Sequence, residues 1–284
     1  MTARAAALLL AGAALAACGG PTDGARIVVA TEAAYPPFES KTTDGTIVGF
    51  DVDLVRAAAR ESGLEADFVD QPFDGILPGL AQGRYDAAVS AMTITEERAK
   101  VVDFTDPYFE AGQVIAVRAD GPPIRGLEDL AGKTIAIQRN TTGHLAAEKV
   151  PGAQVKDFDA IEPAFLELLA RRADAVINDY APTFLYAREH PEVRIVGEPF
   201  TKESYGIAVK KGNAALLAKL NEGLRKVRAS GEYDRLRAEW IGVDRREGSS
   251  TGRTLLYLLE GLGLSLVLGA CSLAVALVGG LAVA

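Results

Sequence analysis

The run Arg26-Ile27-Val28-Val29-Ala30 is followed by Phe50-Asp51-Val52-Asp53-Leu54-Val55-Arg56-Ala57-Ala58-Ala59-Arg60, and then by Ala66-Asp67-Phe68-Val69. The first and last runs are β-branched or aromatic over the length of a strand. Between them Val52, Leu54, Val55, Ala58 and Ala59 recur at helical spacing, and Gly63 marks the helix end. Strand, helix, strand is the unit of a mainly parallel α/β sheet. It continues with a helix over 76–82 and the strand Tyr85-Asp86-Ala87-Ala88-Val89-Ser90. A second series begins after residue 120. It has a helical turn at 127–130, strand Thr134-Ile135-Ala136-Ile137, a helix over 143–149, strand Gln154-Val155-Lys156, a helix over 161–170 and a strand over 173–177.

Two extended segments without adjoining helices, 112–117 and 204–209, separate the series, and helices over 213–229 and 233–240 close the pattern. If those segments run antiparallel, the chain leaves a first lobe, builds a second and returns. Ligands of open α/β sheets lie outside the carboxyl ends of the strands, so two facing lobes place such sites around one hinged cleft.

The 284 residues carry 30 basic and 38 acidic groups, a net charge of −8 that argues against binding a phosphate backbone. Charge is nearly absent from both ends. Arg4 precedes an apolar run closing on Leu15-Ala16-Ala17-Cys18, the pattern of an export signal over 1–17, and Leu-Ala-Ala-Cys resembles a lipoprotein box with cleavage before Cys18. Its alternative is an ordinary signal with an incidental cysteine. Residues 261–284 are uncharged and rich in glycine, alanine and serine. As a helix they span about 36 Å, enough for a hydrocarbon core of about 30 Å. The small residues fit a helix packed against others in a membrane, and the sequence stops inside that run. Arg245, Arg246 and Arg253 before the span argue for the opposite orientation, but a translocated large domain overrides a few flanking charges. The chain's other cysteine, Cys271, falls in the apolar run, so no disulfide or thiolate metal site is available to the body. His144 and His190 stand outside any metal-ligand spacing, and no metal or other cofactor is expected.

Several strings resemble, in order and spacing, the polar-amino-acid group of bacterial extracellular solute-binding proteins: Ala30-Thr31-Glu32-Ala33-Ala34-Tyr35-Pro36-Pro37-Phe38-Glu39, Val48-Gly49-Phe50-Asp51-Val52-Asp53-Leu54, Phe73-Asp74-Gly75-Ile76-Leu77-Pro78-Gly79-Leu80, Met92-Thr93-Ile94-Thr95-Glu96-Glu97-Arg98, Asp103-Phe104-Thr105-Asp106-Pro107-Tyr108 and Gln138-Arg139-Asn140-Thr141-Thr142-Gly143. The resemblance covers about residues 26–242. It implies a periplasmic-binding-protein type II fold, two α/β lobes joined by a two-strand hinge, followed here by a transmembrane helix. Lobe 1 is expected over 26–115 plus 205–242, lobe 2 over 116–204, a linker over 243–254 and the span over 255–284.

The resemblance also implies a site for one free L-amino acid, which needs a fixed cation and a fixed anion. Arg98 then grips the ligand carboxylate with its planar fork, and Thr93 adds a hydroxyl. The alternative for Arg98 is a surface residue paired with Glu96 or Glu97. Asp179 falls where the family places the ammonium acceptor, or it is a helix N-cap. Thr141 and Thr142 match the loop that meets the carboxylate, or they too cap a helix. Ser90 meets the ammonium end. Tyr35 and Phe73 match the aromatic pair around the aliphatic stem, although Phe73 also reads as a loop aromatic. Phe38 and Phe50 are left to the core. Glu32 faces the ligand's side-chain terminus and ranks glutamine first, basic amino acids second and acidic ones last, with Asn178 as a possible amide partner. Two departures stand out: Arg139-Asn140 precede the threonine pair, and Ala91 fills a place that is often serine.

Residues 255–266 resemble the start of an amino-acid ABC permease. The expected role is therefore the substrate-binding component of an amino-acid ABC transporter. It sits on the extracytoplasmic side of the cell membrane, with a fused or partner permease and a separate ATP-binding subunit. The chain itself has no Gly-x-x-x-x-Gly-Lys-Ser/Thr phosphate loop. Two alternatives stand beside it: the ligand-sensing domain of a receptor or sensor kinase, and a cyclohexadienyl-acid dehydratase with Glu32 as general acid.

Overall fold

The computed structural model describes residues 25–242. The expected signal over 1–17, Cys18, the linker over 243–254 and the span over 255–284 lie outside the described residues. Among the described residues no helix is long and apolar enough to cross a membrane.

In chain order, β1 (Ala25–Thr31) is followed by a small antiparallel sheet of β2 (Ala34–Tyr35), β3 (Glu39–Lys41) and β4 (Ile47–Val48). Then come α1 (Phe50–Glu61), β5 (Leu64–Asp70), α2 (Phe73–Ala81), β6 (Ala87–Ala88), α3 (Glu96–Ala99) and β7 (Val102–Phe104). The crossing segment is β8 (Phe109–Ala111), which leads into β9 (Gln113–Arg118). After a 3-10 turn at Leu127–Leu130 the second series runs β10 (Thr134–Gln138), α4 (Thr142–Glu148), β11 (Gln154–Phe158), α5 (Ile161–Leu169), β12 (Ala175–Asp179), α6 (Tyr180–Glu189) and β13 (Val193–Val196). The return is β14 (Glu203–Tyr205) and β15 (Ala208–Lys210), followed by α7 (Ala214–Ala229) and α8 (Glu232–Trp240).

Two five-stranded sheets result, ordered β5-β1-β6-β15-β7 and β11-β10-β12-β9-β13. In each, the strands with crossover helices are parallel, and the strands of the crossing and return segments enter antiparallel. Each sheet has its own core. Ala30, Ile76, Leu80, Ala88 and Met92 pack under the first, and Ile115, Val117, Ile135, Ile137 and Ile177 under the second.

The expected hinge pairing is corrected. Residues 112–117 do not pair with 204–209. The antiparallel ladder joins β8 to β14, with Glu203 opposite Ala111 and Tyr205 opposite Phe109. The expected strand over 204–209 is broken in two, because Gly206 donates to Met92 O and leaves both ladders. β9 lies wholly in the second sheet, between β12 and β13, so the crossover falls at Gly112 rather than after residue 115. There a Cβ would stand 2.5 Å from Thr201 O, so only glycine lets the chains pass that closely.

Helices α1 and α7 lie in direct contact, and Gly223 is the point of closest approach. A Cβ there would come within 2.0 Å of Ala58 O and 2.7 Å of Ser62 Oγ. Gly223→Ala gains helix propensity of about 1 kcal/mol, but it forces the helices apart at a cost of about 1–3 kcal/mol. Urea denaturation of the variant is expected to show a net loss of stability with an unchanged slope.

Candidate functional site

Parallel strands of both sheets point their carboxyl ends at one cleft. Glu32 follows β1, Ser90 and Ala91 follow β6, Thr141 and Thr142 follow β10, and Asp179 ends β12. Tyr35, Phe73, Thr93 and Arg98 complete the lining, so all nine residues expected in the site surround one small, nearly closed space, together with Ala91 and Gln138.

Arg98 sits near the C-terminal end of the short helix α3, whose N-cap Thr95 accepts from the Arg98 N–H at 3.2 Å. Its guanidinium turns inward. Nη1 donates to Thr93 O at 2.8 Å, Nη2 to Asn140 O at 3.1 Å, and the group lies 5.3 Å from the centre of the Phe73 ring. The surface reading of Arg98 is thereby excluded, since Glu97 pairs with Lys100 instead. Burial pulls the guanidinium pKa down, and the Asp179 and Glu203 carboxylates oppose that pull.

Asp179 makes no side-chain cap on α6, which removes the capping alternative. Its Oδ1 accepts from Gln113 Nε2 at 2.8 Å, and Oδ2 lies 2.7 Å from the Tyr35 hydroxyl, which comes from the opposite lobe. Burial first, and the charge of Glu203 second, push the Asp179 pKa up to about 7, against the lowering effect of Tyr35, Tyr205 and Arg98. Asn178 is not available as an amide partner for a ligand. Its Nδ2 donates to Thr183 Oγ1 at 3.2 Å, and its Oδ1 is 2.7 Å from the Tyr35 hydroxyl. Asn178 therefore meets the hydroxyl of Tyr35 beside Asp179 but does not itself line the space.

Glu32 faces the other end of the cleft. Burial raises its pKa to about 7, although Gln138 Nε2 donates to Oε2 at 2.6 Å and the Phe73 N–H also donates to the carboxyl. Phe73 opens α2 rather than lying in a loop, so a helix N-terminus faces this carboxyl. Ser90 accepts from the Glu32 N–H at 3.1 Å and so fixes the backbone from which Glu32 projects.

The threonines are more committed than their sequence pattern implies. Thr141 caps α4, accepting from the His144 N–H at 3.1 Å while its hydroxyl donates to Gln138 O at 2.8 Å. Thr93 Oγ1 and Thr142 Oγ1 both donate to Glu203 Oε2, at 2.7 and 2.8 Å. Glu203, Gln113 and Gln138 were not expected in the site. Gln138 stands inside a recognised string, but nothing in the sequence marks Glu203. The departure at Arg139-Asn140 proves local: Arg139 turns outward to Asp157 and Asp159, and Asn140 takes a φ of 60° that asparagine tolerates.

Glu203 thus joins Thr93 of the first lobe to Thr142 of the second, with Thr201 donating to Oε1 at 2.9 Å. Glu203→Ala leaves three hydroxyls without their acceptor and is expected to cost about 1–3 kcal/mol. Glu203→Gln keeps an acceptor oxygen at Thr93 and Thr142 and is expected to cost less than half as much. Urea denaturation of both variants measures the difference, and equal losses would exclude this bridging role.

The geometry agrees with what known proteins show. The family model described as bacterial extracellular solute-binding proteins, family 3, matches residues 27–243. The ABC transporter glutamine-binding protein GlnH of Bacillus subtilis is 39% identical over 210 residues, 72% of this chain and 77% of the relative. ABC transporter arginine-binding protein 1 of Escherichia coli is 34% identical over 228 residues, 78% of this chain and 93% of the relative. An ancestral arginine-binding protein bound to arginine is 45% identical, with a TM-score of 0.74, and the match covers 76% of this chain and 98% of that one. With its two sheets, its β8–β14 crossing and a match over most of its length, the chain belongs to the bacterial extracellular solute-binding proteins of family 3.

Proposed function

We propose that the chain captures a free amino acid with a donor-rich polar side chain and delivers it to the permease and ATP-binding subunits of an ABC transporter. The observation that carries this reading is the opposition of Arg98 and Asp179 across one cleft, a cation and an anion set for the two charges of a zwitterion. Arg98 holds the carboxylate, with Thr141 and Thr142 at a helix N-terminus beside it. Asp179 receives the ammonium, and Tyr35 and Phe73 flank the stem. Charge-assisted bonds of about 1.5–3 kcal/mol each supply the roughly 8 kcal/mol of micromolar affinity after ordering costs. The relatives' names, as binding proteins for glutamine and arginine, support a carrier over an enzyme, and the family's description as extracellular supports work outside the cytoplasm. The permease belongs to the reading in either form, fused to this chain or separate.

The loss of Asn178 as a partner changes the ranking of ligands. Ionised Glu32 is an acceptor only, and it suits a guanidinium or ammonium better than an amide, whose carbonyl oxygen also needs a donor. Protonated Glu32 supplies that donor. With its pKa near 7, Glu32 favours arginine above neutrality and admits glutamine below it.

Isothermal titration of the purified chain with arginine, glutamine and glutamate at pH 6 and pH 8 tests both statements. Arginine and glutamine are expected to bind at micromolar concentration or below, and glutamate far more weakly. Protonation of Asp179 as pH falls weakens every ligand alike, so it cancels from the ratio of arginine to glutamine affinity. That ratio is expected to drop about a hundredfold from pH 8 to pH 6, about tenfold per pH unit for the one proton that separates the two complexes at Glu32. Failure of all three to bind, or preference for glutamate, would overturn the carrier reading. An unchanged ratio would remove Glu32 from the discrimination.

A further inference from the structure

Behind the wall of the cleft in the first lobe lie two acids that the ligand chemistry does not use. Glu39 and Asp51 are both fully buried, on β3 and in the first turn of α1. Asp51 Oδ2 accepts from the Ala91 N–H at 2.7 Å and from the Tyr108 hydroxyl at 2.6 Å. Glu39 Oε1 accepts from the Ser90 hydroxyl at 3.1 Å, and the same oxygen of Ser90 accepts from the Glu32 N–H. The second oxygens, Glu39 Oε2 and Asp51 Oδ1, have no hydrogen-bond donor, and the two carboxyls are close enough to interact directly. Among the described residues neither forms an ion pair.

Two carboxylates cannot face each other in a buried, cation-free site, because desolvation and mutual repulsion both act against them. A proton between them turns repulsion into a hydrogen bond. Its position follows from the donors. Asp51 receives two besides the bridge and is suited to the charge, whereas Glu39 receives one and is suited to the proton.

We infer that Glu39 and Asp51 form a carboxyl–carboxylate pair holding one proton, and that this pair positions the Ser90-Ala91 turn and the Glu32 backbone against the ligand. Ala91 supplies the independent sign of strain. It is a non-glycine residue at φ 41°, held in the left-handed region by the bond from its N–H to Asp51. The pair thus acts on the site through the backbone of two lining residues, and neither acid touches the ligand. The inference rests on the carrier reading for its effect on affinity, but not for its effect on stability.

The titratable groups facing the pair come from every element around it: Glu32 after β1, Tyr35 on β2, Tyr108 before β8 and Tyr233 on α8, with Arg228 and Arg237 beyond Tyr233. The nearest are acids and phenols, so they oppose ionisation of a second carboxyl. Burial and Asp51 push the Glu39 pKa well above the usual carboxylate range, while Asp51 is raised to about 6. The raised group binds its proton more tightly when folded. Its contribution to stability is therefore present in acid and is lost as pH rises through the folded pKa.

Glu39→Gln is the informative variant, because an amide can donate permanently where the protonated acid donates conditionally. Thermal denaturation of the full chain and of Glu39→Gln from pH 5 to pH 9 is expected to show the variant gaining on the parent by about 3 °C per pH unit until Glu39 ionises. Titration with arginine is expected to give affinities within about threefold of each other at pH 7. At pH 9 the variant is expected to bind several-fold more tightly, the ligand's own titration being common to both. Asp51→Ala removes the acceptor of the Ala91 N–H and is expected to weaken arginine binding more than tenfold at every pH. Parallel stability profiles for the parent and Glu39→Gln would overturn the shared proton, even if Asp51→Ala fails to fold. An arginine affinity of Glu39→Gln that falls as far as that of Asp51→Ala would overturn the positioning role. A parent chain that binds no amino acid while the stability profiles diverge would leave the pair standing and remove the carrier reading instead.

Discussion

Burying a carboxylate costs several kcal/mol unless charge or hydrogen bonds replace its water, and this cleft buries Glu32, Asp179 and Glu203 around the single guanidinium of Arg98. The imbalance governs the rest of the arrangement. Glu203 is held by three threonine hydroxyls, Asp179 by Gln113 and Tyr35, and Glu32 by Gln138 and a helix N-terminus. Each acid takes one of those donors, Thr93, Tyr35 or Gln138, from the other lobe. The same bonds that satisfy the acids therefore hold the lobes together, and whatever satisfies the acids instead changes what holds the lobes.

Strand ends make this convergence possible. β1 and β6 in one sheet, and β10 and β12 in the other, release their chains toward the same space, and β8 with β14 keeps the sheets facing. Each release carries a residue that can form only a few contacts at that spot: Glu32, Ser90, Thr141 and Asp179. Position comes from sheet register and chemistry from the next residue. Many side-chain chemistries can therefore be grafted onto one frame.

Much of this was legible in the sequence, and the omissions have physical causes. Periodicity located the helices and most strands, because each has one apolar face and one sheet to cover. The recognised strings hold seven of the nine expected lining residues, and Ser90 and Asp179 join them from strand ends around the same cleft. What periodicity cannot read is pairing between strands that carry no helix. The hinge ladder was accordingly misplaced onto 112–117, which carries a buried apolar run because it is an inner strand of the second sheet. Glu203 escaped notice because a lone acid in an extended segment looks the same whether solvated or locked by hydroxyls 61 and 110 residues away in sequence. Asn178 was misjudged for a simpler reason. Its amide is taken up by Thr183 and by the Tyr35 hydroxyl, partners that its place in the sequence does not reveal.

The two acid groups, one lining the cleft and one behind it, solve the same electrostatic problem differently, and the difference bears on selectivity. Glu39 and Asp51 are sealed from water and from any ligand, so only a proton can neutralise them, and their geometry stays constant whatever is bound. Glu32 and Asp179 open onto the cleft, where a proton competes with a ligand cation for each carboxyl. On the proposed carrier reading, every amino acid brings an ammonium to Asp179, so that competition cannot tell ligands apart. Only a side chain with its own cation wins the second competition, at Glu32, and its advantage shrinks as protons become abundant. Selectivity between a cationic and an amide side chain is then set by the proton affinity of one carboxyl. That affinity depends on how deeply the Ser90-Ala91 turn keeps Glu32 buried. If the sealed pair fixes that turn as inferred, through Ser90 and the Ala91 N–H, it sets the working range of the open one.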